Sequence, residues 1–272
     1  RIFEWLLLLP LAMPGYVLAY TYTDLLQFVG PVQTALRGFF GWRAGEYWFP
    51  EVRSLAGAVA MFCCILYPYV YLLARTALIE RGASLLEAAR ILGRSPGQVF
   101  VQVSLPLARP AIAVGVAQAL METLADYGTV AYFAVNTFTT GIYRAWFSLG
   151  DRVAAAQLAA MLLAFVLFLL MAERISRGRA RYNNTTGRNR PMAGARLRGF
   201  AAFLAFVGCL LPLLLGFVLP ALLLFKMALA EGDAQFGERF LVLSRINVLL
   251  GVITAGISVL LEMLLSCGVR LL

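Results

Sequence analysis

Long apolar stretches alternate with short polar segments along the whole chain. Several of these stretches approach the ~20 residues that an α-helix needs to cross a bilayer, and none shows the two-residue alternation of barrel strands. The pattern therefore predicts an all-α, polytopic membrane protein with about six transmembrane helices. The predicted spans are residues 2–20, 55–78, 107–124, 154–172, 200–224 and 248–267.

Composition supports a protein surrounded by lipid. The chain of 272 residues is 61% hydrophobic and 14% charged, whereas a soluble domain has about 45–50% apolar and 25% charged residues. Its net charge of +9 comes almost entirely from arginines beside the apolar stretches, as membrane orientation requires. We therefore expect the lipid bilayer, and no nucleic acid, to be the partner of these charges.

Residue usage argues against an enzyme. The chain has no histidine, which excludes Ser-His-Asp and Cys-His nucleophiles and zinc sites that need a histidine ligand. Its one lysine, Lys226, stands in Phe-Lys-Met and not in a phosphate-binding loop. The cysteines lack metal-ligand spacing, so we expect them to pack as free thiols. They are Cys63, Cys64, Cys209 and Cys267.

Two polar segments, residues 80–106 and 176–198, give the orientation. Eight arginines lie within residues 174–198, and such an excess marks the cytoplasmic side. Two predicted spans separate this linker from residues 80–106, which places that loop in the cytoplasm as well. Residues 21–54 then lie outside, as a loop with short helices.

The 80–106 loop carries helix signals of its own. Ser84 and Glu87 have the spacing of a capping box, which starts a helix, and an apolar stripe follows on one face. Gly93 suits a left-handed helix end, and Ser95 repeats the start signal. The stripe consists of Leu85, Ala88, Ala89 and Leu92. The segment therefore predicts two short helices joined at a glycine, which also suits an ordinary loop to which nothing binds.

The same loop resembles one in permease subunits of bacterial ABC importers. Glu87-Ala88-Ala89 is followed after three residues by Gly93 and after nine more by Val103-Ser104-Leu105-Pro106. The resemblance implies that the first helix inserts into a cleft on the ATP-binding subunit. Glu87 would cap and contact, Gly93 would turn the chain, and Pro106 would start the next span. The implied coupling residues are Ser84, Glu87, Ala88, Ala89, Leu92, Gly93, Leu105 and Pro106.

That resemblance also implies partners and a location. A cytoplasmic ABC ATPase dimer would bind ATP and Mg, a periplasmic substrate-binding protein would deliver substrate, and this chain would bind no cofactor itself. The protein would lie in the bacterial inner membrane.

Further segments look like permeases of ferric iron importers, namely residues 6–16, 122–133 and 139–146. In that family two homologous halves are fused, each with its own Glu-Ala-Ala loop. The resemblance implies that residues 1–175 end the first half, that 176–198 link the halves and that 199–272 start the second. A second loop is then expected beyond Leu272.

Acidic residues at the end of the third span suggest a substrate route. Glu122 and Asp126 share a face if the helix continues, and with Tyr127 they offer oxygen ligands to a hard cation. The alternative is a salt bridge or a helix cap, with Gly128 ending the helix.

Thiamine, phosphonate, polyamine or sulfate permeases share the loop. An ion-coupled secondary transporter, and a scaffold or membrane enzyme, are the competing classes.

Overall fold

The computed structural model describes residues 2–43, 45–81, 93–177, 198–230 and 237–271, and within these ranges the chain is helical without strands. Five helices are long and apolar enough to cross a membrane, or six if one sharply bent pair counts as a span. The all-α membrane fold expected from the sequence is therefore confirmed. The first four helices are α1 (Ile2–Leu6), α2 (Gly15–Leu26), α3 (Pro31–Phe40) and α4 (Leu55–Arg81).

The later helices contain widened turns. Helix α5 consists of Pro96–Val99, a π-helical turn Phe100–Ser104 and Leu105–Ala125. Helices α6 (Gly128–Tyr132), α7 (Phe138–Tyr143, continued by a π turn Arg144–Ser148) and α8 (Arg152–Arg177) follow. Helix α9 consists of Gly199–Leu213, a π turn Leu214–Val218 and Leu219–Ala230, and α10 is Glu238–Leu271. Residues 1–223 and 224–272 form separate compact units, and the packing described below lies within the first.

The first predicted span is broken at its prolines. Helix α1 passes into a 3-10 turn, Leu9–Ala12, and the chain bends by 88° before the helical segment that starts at Gly15. Pro10 and Pro14 lie at this break, where each removes a backbone donor. Residues 2–20 therefore form a bent pair of segments and not one straight helix.

Each break leaves a carbonyl that a distant tyrosine satisfies. In α9 the N–H of Leu219 bonds to Leu214 O, and Pro220 has no N–H, so Leu215 O lacks a helical donor. The hydroxyl of buried Tyr22 donates to Leu215 O at 2.6 Å. This hydrogen bond ties α2 to the π turn of α9.

Near Pro10, too, a carbonyl that lacks a helical donor accepts from a distant tyrosine. Leu11 N bonds to Leu8 O and Pro10 has no N–H, so neither can serve Leu7 O. The Tyr67 hydroxyl on α4 donates to Leu7 O at 2.8 Å. Backbone carbonyls that lose their helical donor inside a bilayer must find other partners. The two tyrosines supply these partners, which lets the broken segments at α1 and α9 lie side by side.

Helices α4 and α5 form the most extensive helix pair. A Cβ atom at Gly115 would lie 2.7 Å from Val70 Cα and 3.1 Å from Tyr69 O, so only glycine allows this approach. The two helices therefore touch backbone to backbone along the middle of their length. Near the C-terminal end of α4, Arg75 forms an ion pair with Glu4 of α1 at 2.8 Å.

Some helices extend beyond the spans expected from apolar residues alone. The span predicted at 107–124 belongs to α5, which already begins at Pro96, and the one predicted at 248–267 belongs to α10, which begins at Glu238. Polar residues at a helix end do not stop a helix when their backbone groups stay bonded. Hydropathy therefore locates the apolar middle of a helix and misses its polar ends.

The cysteines remain free, as expected, but not all are buried. Cys63 and Cys267 are exposed, and Cys64 and Cys209 are half-buried. An exposed thiol on a membrane-spanning helix faces an apolar surrounding, so packing against protein is not required to shield it from water.

Candidate transport site

We call residues 93–106 the cytoplasmic junction, after the side on which the arginine count predicts them to lie, and this segment begins with the turn predicted at Gly93. Gly93 has φ +77°, a left-handed conformation that favours glycine. Next to it, Gln98 N donates to Ser95 Oγ at 3.4 Å and Ser95 N donates to Gln98 Oε1 at 3.1 Å. This reciprocal capping box starts α5 where the sequence predicted a second helix start.

Pro106 lies inside α5, although the resemblance placed it at the start of a span. The N–H of Leu105 reaches back five residues to Phe100 O, which widens the turn just before Pro106. A proline ring would otherwise clash with a carbonyl four residues earlier, and a π turn relieves that contact. The helix therefore runs through the proline without ending.

The described part of the junction exposes an apolar edge. Phe100 and Val101 are 54% and 59% exposed, and Leu105 is exposed beside them. Arg94 Nη1 donates to Gln102 Oε1 at 2.9 Å across the first turns of α5. Sequence reasoning missed Phe100 and Val101, which follow Val99 in a run of three apolar residues between two glutamines. The other expected coupling residues, Ser84, Glu87, Ala88, Ala89 and Leu92, lie outside the described residues.

Asp126 caps a helix at the other end of α5. Its Oδ1 accepts from Thr129 N at 2.8 Å and from Val130 N at 3.2 Å, and its Oδ2 accepts from Thr129 Oγ1 at 3.0 Å. These bonds satisfy free amides at the start of α6. Of the interpretations open for Asp126, the structure therefore favours the helix cap.

Glu122 and Asp126 do not share a helix face. Helix α5 ends at Ala125, and Asp126 has an extended backbone, φ −69° and ψ 130°. The Glu122 side chain is exposed on the last turn of α5. Gly128 begins α6 and does not end α5. The i to i+4 relation of a continuing helix is thus lost.

Three segments distant in sequence meet around Asp126, and we call this cluster the outer junction. It comprises residues 14–16, 126–129 and 139–144. Gly15 lies against Thr129, and a Cβ atom at Gly128 would lie 3.1 Å from Tyr16 Cβ. Thr139 Oγ1 donates to Asp126 O at 2.8 Å. These segments fall within those whose sequences resemble ferric iron permeases.

An open cavity of about 590 Å³ adjoins the outer junction. Tyr127 stacks on Tyr143 at one wall, with ring centroids 3.9 Å apart. Hydroxyl and amide groups and one guanidinium complete the polar lining, which holds no carboxylate. The polar lining residues are Tyr127, Asn136, Thr140, Tyr143, Arg144 and Ser148. Hydrogen-bond donors of this kind suit an anion.

The three residues predicted to line a substrate route therefore lie in three different surroundings. Tyr127 lines the cavity, Asp126 is occupied by capping bonds, and Glu122 lies one helical turn back along α5. No group of three His, Cys, Asp or Glu residues that could hold a metal ion occurs in the described ranges. Sequence reasoning missed the contact of Asp126 with Thr129, which is local, and the contacts of Asp126 with Thr139 and of Tyr127 with Tyr143, which only folding brings about.

Comparison with known proteins places the chain in a family. Residues 1–181 match the family model of the binding-protein-dependent transport system inner membrane component. The Fe(3+)-transport system permease protein of Haemophilus influenzae is 26% identical over 70% of this chain and 33% of its own length. The molybdenum transport system permease protein of Escherichia coli is 31% identical over 63% and 76%.

A third relative, the sulfate transport system permease protein of Escherichia coli, is 27% identical over 60% of this chain and 58% of its own length. The chain thus spans about a third of the Haemophilus relative and larger parts of the other two. The expected multi-pass placement in the inner membrane is supported by the family match and by the span-length helices. The chain belongs to the family of binding-protein-dependent transport system inner membrane components.

Proposed function

We propose that this chain is the membrane-spanning permease of an ABC importer, which moves substrate inward and is driven by a separate ATPase. The observation that carries the proposal is α5 itself. One helix starts at the capping box of the cytoplasmic junction, packs backbone to backbone on α4 through Gly115, and ends at Asp126 in the outer junction. At 1.5 Å per residue, its 30 residues span about 45 Å.

A helix of this length would mechanically connect two partners, an ATPase at one end and a substrate-binding protein at the other. An ATPase dimer bound at residues 80–106 would move the start of α5, and the outer junction at its other end would move with it. A substrate-binding protein would dock on the outer side. ATP and Mg would be held by the ATPase alone.

The turn at Gly93 gives the test. We expect Gly93→Val, in the full-length protein co-expressed with its ATPase, to abolish ATP-driven uptake because a β-branched residue resists positive φ. The control is Gly97→Ala, since nothing lies within 4 Å of a Cβ atom at Gly97. Membrane levels of both variants should equal the wild type. Normal uptake by Gly93→Val would contradict the proposed coupling.

For the substrate we propose ferric iron. The support is the resemblance of residues 6–16, 122–133 and 139–146 to ferric iron permeases, together with the Haemophilus relative named for Fe(3+) transport. The specific sequence segments meet in the outer junction, which is where a substrate delivered from outside would arrive.

An oxyanion is the second candidate, and the cavity lining favours it. Arg144 and the neighbouring hydroxyls offer donors to an anion, and relatives are named for molybdenum and sulfate transport. Uptake of labelled ferric iron, molybdate, sulfate and an aminophosphonate by the same cells separates the two. Uptake of iron alone supports the first candidate. Uptake of an oxyanion that is weakened by Arg144→Gln supports the second.

A further inference from the structure

Helix α3 turns its polar side inward and its apolar side outward. Gln33 is 7% exposed, and its Nε2 donates to Leu26 O at 2.8 Å. Tyr47 Oη donates to Gln33 Oε1 at 2.7 Å, and Arg37 Nη1 donates to Tyr47 Oη at 2.8 Å. The polar groups on this side are therefore satisfied within the protein.

The charge of Arg37 is also held inside this network. Its second nitrogen, Nη2, donates to Thr34 Oγ1 at 3.1 Å, and its guanidinium lies 4.3 Å from the centroid of the Phe28 ring. Arg37 is the only charged residue between Leu25 and Trp42. The outward side of α3 consequently carries no charge.

The outward side is aromatic and aliphatic. Phe39 is 84% exposed, Ala35 lies one turn before it, and Val29 is 74% exposed at the start of the helix. Phe40, the last residue of the helix, stacks on Trp42 with ring centroids 4.4 Å apart, and Trp48 is 86% exposed. In water such a surface would be unfavourable, because exposing apolar area costs free energy.

We propose that α3 and the aromatic residues after it lie in the outer lipid–water interface of the membrane, as an in-plane anchor. The ten residues of α3 cover about 15 Å, too short to cross the bilayer. It is the helix that precedes the span α4, with residues 41–54 between them, which keeps it close to the membrane surface. Trp, Tyr and Phe are enriched at this depth, and apolar helix faces there sink into the headgroup boundary.

Charge decides between lipid and a soluble partner. Surfaces that bind and release a soluble protein generally keep a charged and polar rim, whereas the outward side of α3 has no charged residue and only Thr34 at its edge is polar. The polar turn that follows, where Arg43 N donates to Glu46 Oε2 at 2.7 Å, provides a group for the headgroup region. Lipid is therefore the occupant that fits the whole segment.

Spin labels on the full-length permease in lipid nanodiscs test this placement. In a cysteine-free background, Ala35→Cys carries the label on the apolar side and Thr34→Cys carries it on the polar edge as the matched control. We expect the label at position 35 to collide several-fold more with dissolved oxygen than with a water-soluble nickel chelate, and the label at 34 to show the opposite ratio. Equal exposure of both labels to the nickel chelate would overturn the proposal.

A second measurement avoids labelling. A variant that keeps Trp48 as its only tryptophan should lose most of its fluorescence in nanodiscs made with lipids brominated near the headgroup. Unchanged fluorescence would contradict the anchor. Shielding of position 35 that appears only after a substrate-binding protein is added would also overturn it, in favour of a protein partner.

Discussion

At the residue scale, the chain stabilises its broken helices by distant side chains. Pro10 and Pro220 each leave a carbonyl without a helical donor, and the hydroxyls of Tyr67 and Tyr22 fill these places. The prolines themselves are visible in the sequence. Which tyrosine serves which carbonyl could not be foreseen, because Tyr22 and Leu215 are 193 positions apart.

The Tyr22 hydrogen bond should be measurable as stability. Tyr22→Phe leaves Leu215 O unsatisfied in an apolar region, at a cost of about 1–3 kcal/mol. We expect a lower midpoint of thermal unfolding for the purified protein in detergent. Tyr16→Phe is the matched control, because the Tyr16 side chain is 58% exposed and its hydroxyl makes no hydrogen bond with the described residues. Equal midpoints for the two variants would contradict this assignment.

Asp126 should behave as a cap. Asp126→Ala removes three hydrogen bonds at the start of α6 and should cost about 1–2 kcal/mol of stability and most of the uptake. Asp126→Asn keeps an acceptor for the Thr129 and Val130 amides, so it should retain most stability and uptake. Substrate uptake and thermal midpoints of both variants check this. Loss of uptake in a stable Asp126→Asn protein would instead show that the carboxylate charge itself is needed on the substrate route.

At the element scale, the proposed transmission of motion along α5 requires that α4 and α5 keep their close backbone contact. The sequence predicted both helices from their apolar runs, and Gly93 and Ser95 were predicted correctly because caps and turns depend on neighbouring residues. The continuity of α5 from Pro96 through Pro106 was missed, since a π turn before Pro106 leaves no signal in hydropathy. The outer junction was only partly foreseen, because residues 14–16 and 126–129 meet although more than a hundred positions separate them.

Enlarging Gly115 should separate α4 from α5. Gly115→Ala would bring its Cβ atom within 2.7 Å of Val70 Cα, an overpacked contact that typically costs about 1–3 kcal/mol. We expect a lower thermal midpoint and weaker coupling of ATP hydrolysis to uptake. Gly208→Ala on α9 is the control, because no atom lies within 4 Å of its Cβ position. A neutral Gly115→Ala variant would show that the helices readily move apart.

At the scale of the whole molecule, the proposed function joins the two ends of one helix, α5. The cytoplasmic junction and the outer junction lie at opposite ends of α5, and the arginine count of residues 174–198 predicts the side of the membrane that each faces. Membership of the inner membrane component family agrees with this arrangement. Under the proposed function, energy comes from a partner ATPase and not from an ion gradient acting on intramembrane carboxylates.

Substrate uptake into cells that produce the full-length permease, its ATPase and its binding protein tests this central claim most directly. Uptake is measured once after ATP depletion with the proton gradient maintained, and once with a protonophore while ATP is maintained. The account predicts that uptake stops in the first case and continues in the second. Uptake that continues without ATP and stops with the protonophore would contradict it.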